Sequence, residues 1–178
     1  MNWYKKHLTS ESKSNIIFAM NKKEFILLRG LPGSGKSFLA KQLSGDTGQQ
    51  FAADDYFMDE QGNYNWSGDK VSVAHQWNHD RIKKAIDSGI SPVIMDNTNV
   101  SKWDLKQSKP LIEYAESMGY NVRIEQPQTP WAFDVNELAK RNTHKVPIEA
   151  IQAKLNKWHP NPTVEDIKNG FEPQEMAE

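Results

Sequence analysis

The chain of 178 residues contains no cysteine. Disulfide staples, thiolate metal sites and a cysteine nucleophile are therefore excluded together. Stability has to come from a packed core, and a chain of this length buries roughly 70% of its unfolded surface without cross-links. The lack of cysteine suits a reducing compartment, and a cytoplasmic location is expected. No apolar run approaches the ~20 residues of a membrane helix. The apolar stretch inside MNWYKKHLTSESKSNIIFAM is too short for the core of a signal peptide. The net charge is only −1, so no global field draws the protein to nucleic acid or to a membrane. No internal repeat and no low-complexity tract interrupts the chain.

The charge that is present is unevenly placed. Residues 1–23 hold five lysines against one glutamate, and residues 160–178 hold five acids against one lysine. Both ends read as solvated extensions: a basic N-terminal segment over 1–23 and an acidic tail over 160–178. The domain proper is expected over 24–159.

Inside those limits apolar strands alternate with amphipathic helices. FILLR (25–29) reads as a strand covered on both faces. The helix after it carries Phe38, Leu39 and Leu43 on its expected apolar side. QFAADDYF reads as a short second strand ending in acids. The next helix places Val71, Ala74, Ile82, Ala85 and Ile86 at helical spacing and stops at Gly89. SPVIMDNTN supplies a third strand and GYNVRIEQP a fourth. Residues 101–118 form a helix interrupted at Pro110, and two further helices flank the joint THK. The alternation implies a parallel sheet of about four strands with helices on both faces, a three-layer α/β/α sandwich with a small helical lid at about 138–147. Ligands of such sheets lie at the carboxyl ends of the strands.

GLPGSGKS, Gly30 to Ser37, matches G-x-x-x-x-G-K-[ST] completely and joins a strand to a helix, the layout of a P-loop NTPase. Its glycines let backbone N–H groups turn toward phosphate oxygens, and the helix N-terminus adds partial positive charge. The whole run, Gly30, Leu31, Pro32, Gly33, Ser34, Gly35, Lys36 and Ser37 with Phe38 after it, is expected to hold a nucleoside triphosphate. Lys36 bridges the outer phosphates and the Ser37 hydroxyl ligates Mg²⁺. Asp96, after the apolar run PVIM, stands where a second Mg²⁺ ligand belongs. Transfer to a hydroxyl also requires a carboxylate to take its proton. Asp54 and Asp55 both stand at a strand end, and chemistry alone does not choose between them. From Leu138 to His159 five cationic residues face one acid. In AKRNTHKVP an arginine can reach the γ-phosphate, or merely favour a helix end. His75 and His79, one helical turn apart without a third ligand, read as packing or solvent residues.

GLPGSGKS, ADDYF, DNTN, TPW…ELAKRN and KVPIEAI occur in an order that resembles the kinase domain of phage polynucleotide kinase and the small AAA-type ATP-binding proteins grouped with it. The resemblance covers about residues 24–158. It implies an ATP-dependent kinase with Mg²⁺, transferring phosphate to a nucleic-acid 5′-hydroxyl. It makes Asp54 the general base and Arg141 the lid arginine, with Lys36 beside them in catalysis. Asp54, Asp55, Asp96, Thr98 and Asn99 would line the acceptor side. Two arginines of the phage enzyme are replaced here by Ala53 and Phe57, and a second lid arginine is absent. Tyr64, Trp66 and Trp103 can stack on a base, though each reads first as core or groove wall. A small-molecule hydroxyl acceptor, or a non-catalytic ATP-binding module, is the alternative.

Overall fold

The structure, a computed structural model, describes residues 22–171. Strand β1 (Glu24–Leu28) is its centre: Phe25, Ile26, Leu27 and Leu28 are all fully buried. A strand with no polar face must be covered on both sides and paired at both edges. β3 (Val93–Asp96) lies on one edge and β4 (Asn121–Glu125) on the other, both parallel to β1. β2 (Gln49–Phe51) adds to β3, giving the order β2-β3-β1-β4 with every pairing parallel.

The period-two alternation of β1 divides the core. Ile26 and Leu28 pack with Ala40, Leu39 and Leu43 of α1 (Lys36–Ser44). Phe25 and Leu27 face the opposite layer. There they meet Ile82, Ala85 and Ile86 of α2 (Val71–Asp87), Leu105 of α3 (Lys102–Gln107) and Leu111, Ile112 and Ala115 of α4 (Lys109–Ser117). The three-layer α/β/α architecture with four parallel strands is thus the one its sequence implies. A third cluster joins Leu31 and Val100 to Leu138 of α5 (Val135–Arg141) and Ile151 of α6 (Ile148–Asn156). This helix pair caps the carboxyl edge of the sheet.

Three expectations change. The acids Asp54 and Asp55 lie not on a strand but on a short 3-10 turn, Ala53–Phe57, after β2 ends at Phe51. Phe38 is not on the apolar side of α1: at 69% exposure it points away beside the loop, because Leu39, Ala40 and Leu43 already occupy the arc facing the sheet. The described part of the acidic tail is not a solvated extension. It contains α7 (Val164–Asn169), opened by a capping box in which the Thr163 hydroxyl accepts from the Asp166 amide at 3.0 Å and the Asp166 carboxylate accepts from the Thr163 amide at 2.8 Å. Val164, Ile167 and Phe171, at helical spacing, turn this acidic segment onto the main core, with Ile167 1% exposed. Ile167→Ala is expected to cost about 2–5 kcal/mol in denaturant unfolding, the range for truncating a buried isoleucine; a solvated tail would show no loss. The basic stretch expected over 1–23 lies outside the described residues apart from Lys22 and Lys23, and so do residues 172–178 of the acidic end.

Candidate nucleotide and phosphoryl-transfer site

The turn from β1 to α1 is shaped by what surrounds it. Gly33 adopts φ +82°, and a Cβ there would stand 2.3 Å from the Leu138 carbonyl oxygen of α5. Only glycine lets the loop and the helix approach this closely. Gly35, at φ +95°, caps α1 without any side-chain partner for the first amides of the helix, which leaves them directed at an incoming anion. The segment after β4 straps the loop from outside. The Thr129 hydroxyl donates to the Ser34 carbonyl at 3.0 Å, and the Trp131 indole N–H donates to the Gly33 carbonyl at 3.3 Å. Gly33→Ala should push α5 away from the loop, lowering stability by about 1–3 kcal/mol and weakening nucleotide binding in a titration; an unchanged affinity would mean that the junction does not matter to the loop.

Lys36 and Ser37 converge on Asp96. The Lys36 ammonium forms an ion pair with Asp96 Oδ1. The Ser37 hydroxyl donates to Asp96 Oδ2 at 3.2 Å, and the Gln50 amide donates to the same oxygen at 2.6 Å. Asp96 is 2% exposed, so its charge is supported by these donors rather than by water. Gln50 was not singled out from the sequence; an amide in a short strand beside the loop was the available signal. The Ser37 hydroxyl and the Asp96 carboxylate are hard oxygen donors of the kind Mg²⁺ takes alongside phosphate oxygens. Among the described residues no group of three or more His, Cys, Asp or Glu is gathered.

The four residues of DNTN divide between site and scaffold. Asp96 faces the loop. The Asn97 side-chain oxygen accepts from the Ala53 amide at 3.0 Å and so ties the end of β3 to the turn that carries the acids. The Thr98 carbonyl accepts from the Gly30 amide at 2.9 Å. Asn99, expected on the acceptor side, is buried, and its amide donates to the Leu28 carbonyl at 2.7 Å. It braces the base of the loop, and its inward turn follows from the left-handed backbone it adopts, φ 45°.

Asp54 and Asp55 are separated by their partners. The Asp55 carboxylate accepts from Arg81 at 3.1 Å and from the Ala52 amide at 3.4 Å, closing its own turn. Asp54 is exposed, and its one side-chain hydrogen bond among the described residues is from the Tyr64 hydroxyl, which donates to Oδ1 at 3.2 Å. Ala53 and Phe57, which stand in place of two arginines, are each 6% exposed and belong to the packing beneath the turn.

Arg141 ends α5. Its guanidinium lies 4.1 Å from the centre of the Trp131 ring and pairs with Glu137 at 3.1 Å, still about half exposed. Through Trp131 it stands against the phosphate loop. A second arginine, Arg29, was not singled out. It follows β1 directly, is fully buried, lies 3.8 Å over Trp158 and donates to the His159 carbonyl at 2.6 Å. Burial pushes its guanidinium down to about 10. It fastens the segment after α6 beneath the loop; a charge inside the run FILLRG was the signal for it.

A family profile described as an AAA domain matches residues 25–161. The chain belongs to that family. Human NEDD4-binding protein 2 is 39% identical to this AAA domain over 153 residues, 85% of the chain but 8% of that protein. The AAA domain thus spans a small fraction of the length of that relative. A chain of the Pnkp1/Rnl/Hen1 RNA repair complex superposes with a TM-score of 0.59 at 18% identity, covering 76% of this chain and 44% of that one. Kti12 from Chaetomium thermophilum, solved with ADP-AlF3, gives a TM-score of 0.50 at 21% identity, with 78% of this chain and 82% of that one covered. Both are likenesses of fold. The AAA domain therefore has a P-loop kinase-like architecture, one that implies nucleotide binding.

Proposed function

We propose that the protein is an ATP-dependent phosphotransferase that moves the γ-phosphate to a 5′-hydroxyl of a nucleic acid. The observation that carries this reading is the division of labour among three carboxylates. Asp96 is committed to Lys36 and Ser37 and Asp55 is ion-paired with Arg81, whereas Asp54, exposed and held only by the Tyr64 hydroxyl, is the one of the three without a cationic partner among the described residues. A domain that only bound nucleotide would need the first of these but not the last.

The glycine-rich turn and the first amides of α1 hold the phosphates, with Phe38 exposed beside the nucleotide. Lys36 exchanges its contact with Asp96 for the outer phosphates. Ser37 and Asp96 would hold Mg²⁺, which supplies neutralisation of phosphate charge. Asp54 accepts the proton of the attacking hydroxyl as the new O–P bond forms and the bond from the γ-phosphorus to the β-γ bridging oxygen breaks, releasing ADP. Arg141, carried against the loop by Trp131, stabilises charge on the transferring group. The ordered resemblance to polynucleotide kinase and the fold shared with a chain of an RNA repair complex support the choice of acceptor.

The test offers labelled ATP with RNA and DNA oligonucleotides ending in a 5′-hydroxyl, beside the same oligonucleotides already 5′-phosphorylated. Label on the first set alone is expected. Label on neither set, with nucleosides and sugars labelled instead, would replace the acceptor and keep the chemistry.

A further inference from the structure

Two loops meet above Asp54, and each is built around one side chain. In the hairpin over 57–65 that side chain is Asp59. Its carboxylate accepts from the amides of Gln61 at 3.0 Å and Asn63 at 2.8 Å, and from the side chains of Asn63 and Asn65 at 2.9 and 3.2 Å. The Asn65 amide donates back to the Phe57 carbonyl at 2.7 Å, and Met58 pairs with Tyr64 in an antiparallel bridge. Tyr64 is thereby fixed with its ring edge-on to the buried Phe57, centroids 6.1 Å apart, and its hydroxyl on Asp54.

In the lid the corresponding side chain is Asn142. Its amide donates to the Ala139 carbonyl at 2.8 Å, its oxygen accepts from the Val146 amide at 2.6 Å, and Lys145 takes a left-handed φ of 53° to close the loop. The closed loop presents His144, whose ring lies 4.7 Å from that of Tyr64. The same lid touches the phosphate loop, since Leu138 and Asn142 crowd Gly33.

We propose that Tyr64 is a positioning residue that aims Asp54, and that the lid sets Tyr64 through His144. The inference rests on the reading of Asp54 as the proton acceptor. An exposed carboxylate on a short turn has free rotation; one oxygen held by a phenol fixes the direction of the other. Desolvation, with Asp54 adjacent, pushes the Tyr64 phenol up to about 12, so it remains a donor throughout the neutral range. Because the lid contacts Gly33 through Leu138 and Asn142 and Tyr64 through His144, a lid docked on the phosphates and an aimed base are a single state. A lid that swings away releases both.

The test uses the full chain and four variants. Tyr64→Phe keeps the ring and removes the donor. His144→Ala removes the ring packed at a tilt against Tyr64, His144→Phe restores a ring without the imidazole, and the fourth combines Tyr64→Phe with His144→Ala. Tyr64→Phe and His144→Ala should each lower kcat by about ten- to a hundredfold, the scale of a misplaced catalytic group, with KM for ATP unchanged. His144→Phe should recover most of the rate. The double variant should be no worse than the poorer single one. Additive losses, or no recovery by His144→Phe, would overturn the coupling. An independent arm reads the contacts without any acceptor: in ¹³C-tyrosine-labelled protein, the Tyr64 ring signal, assigned from its absence in Tyr64→Phe, should shift in His144→Ala and in Asp54→Asn. A signal unmoved by both overturns the inference whether or not oligonucleotides are phosphorylated. Failure of the main reading shows instead as absent labelling by the native chain.

Discussion

Lys36→Ala is expected to damage the protein twice, once in its fold and once in its chemistry. The ammonium is the only cationic partner of Asp96 among the described residues, and the two side chains are 14% and 2% exposed. Removing it leaves a buried carboxylate supported by two neutral donors, Ser37 and Gln50. Breaking a buried pair in this way costs about 3–5 kcal/mol, read as a fall in the urea midpoint. Adding Asp96→Asn removes the stranded charge and should return much of that loss. Activity should not return with it. Without the ammonium the outer phosphates lose a fixed charge, and transfer should fall by at least about 10²–10³. A double variant that is stable and inactive would separate the two roles; one that regained activity would deny Lys36 its place on the phosphates.

Asp54→Asn should behave in the opposite manner. The carboxylate is exposed and its partner is one phenol, so stability and nucleotide affinity should stay near native. The amide cannot take the proton of the attacking hydroxyl, and kcat should drop by about 10²–10⁴, the usual worth of a positioned base. Asp55→Asn is the control. It weakens a half-exposed pair with Arg81, worth at most about 1 kcal/mol, and the closure of its own turn. Transfer should remain close to native. If the two substitutions exchanged their effects, the base would be Asp55.

Local rules carried much of this architecture. GLPGSGKS between an apolar strand and a helix announces the phosphate loop, because glycine conformation and helix polarity act over a few residues. The parallel order of strands follows from alternation with helices, and that topology alone brings Asp96 and the turn after β2 to one edge of the sheet. The roles that local spacing does not reveal are set by partners distant in sequence. Tyr64 gains its meaning from Asp54 below and His144 above, and eighty residues separate the two rings. Gln50 matters because β2 lies beside β3, a neighbour relation that spacing does not encode. Asn99 looked like a cleft residue until its inward hydrogen bond to Leu28 was visible. The acidic tail misled because five charges outweighed three apolar residues at helical spacing; a capping box was the better guide to α7.

The most direct measurement is the fate of the γ-phosphate in a single turnover. Protein in excess, with Mg·ATP and a 5′-hydroxyl oligonucleotide, is quenched over time and the oligonucleotide is analysed by mass and by end-specific digestion. One phosphate gained at the 5′ end by the native chain, and lost with either Lys36→Ala or Asp54→Asn, is the expected result. Release of the γ-phosphate to water alone, unaffected by Asp54→Asn, would contradict a phosphoryl transfer that uses Asp54 as its base.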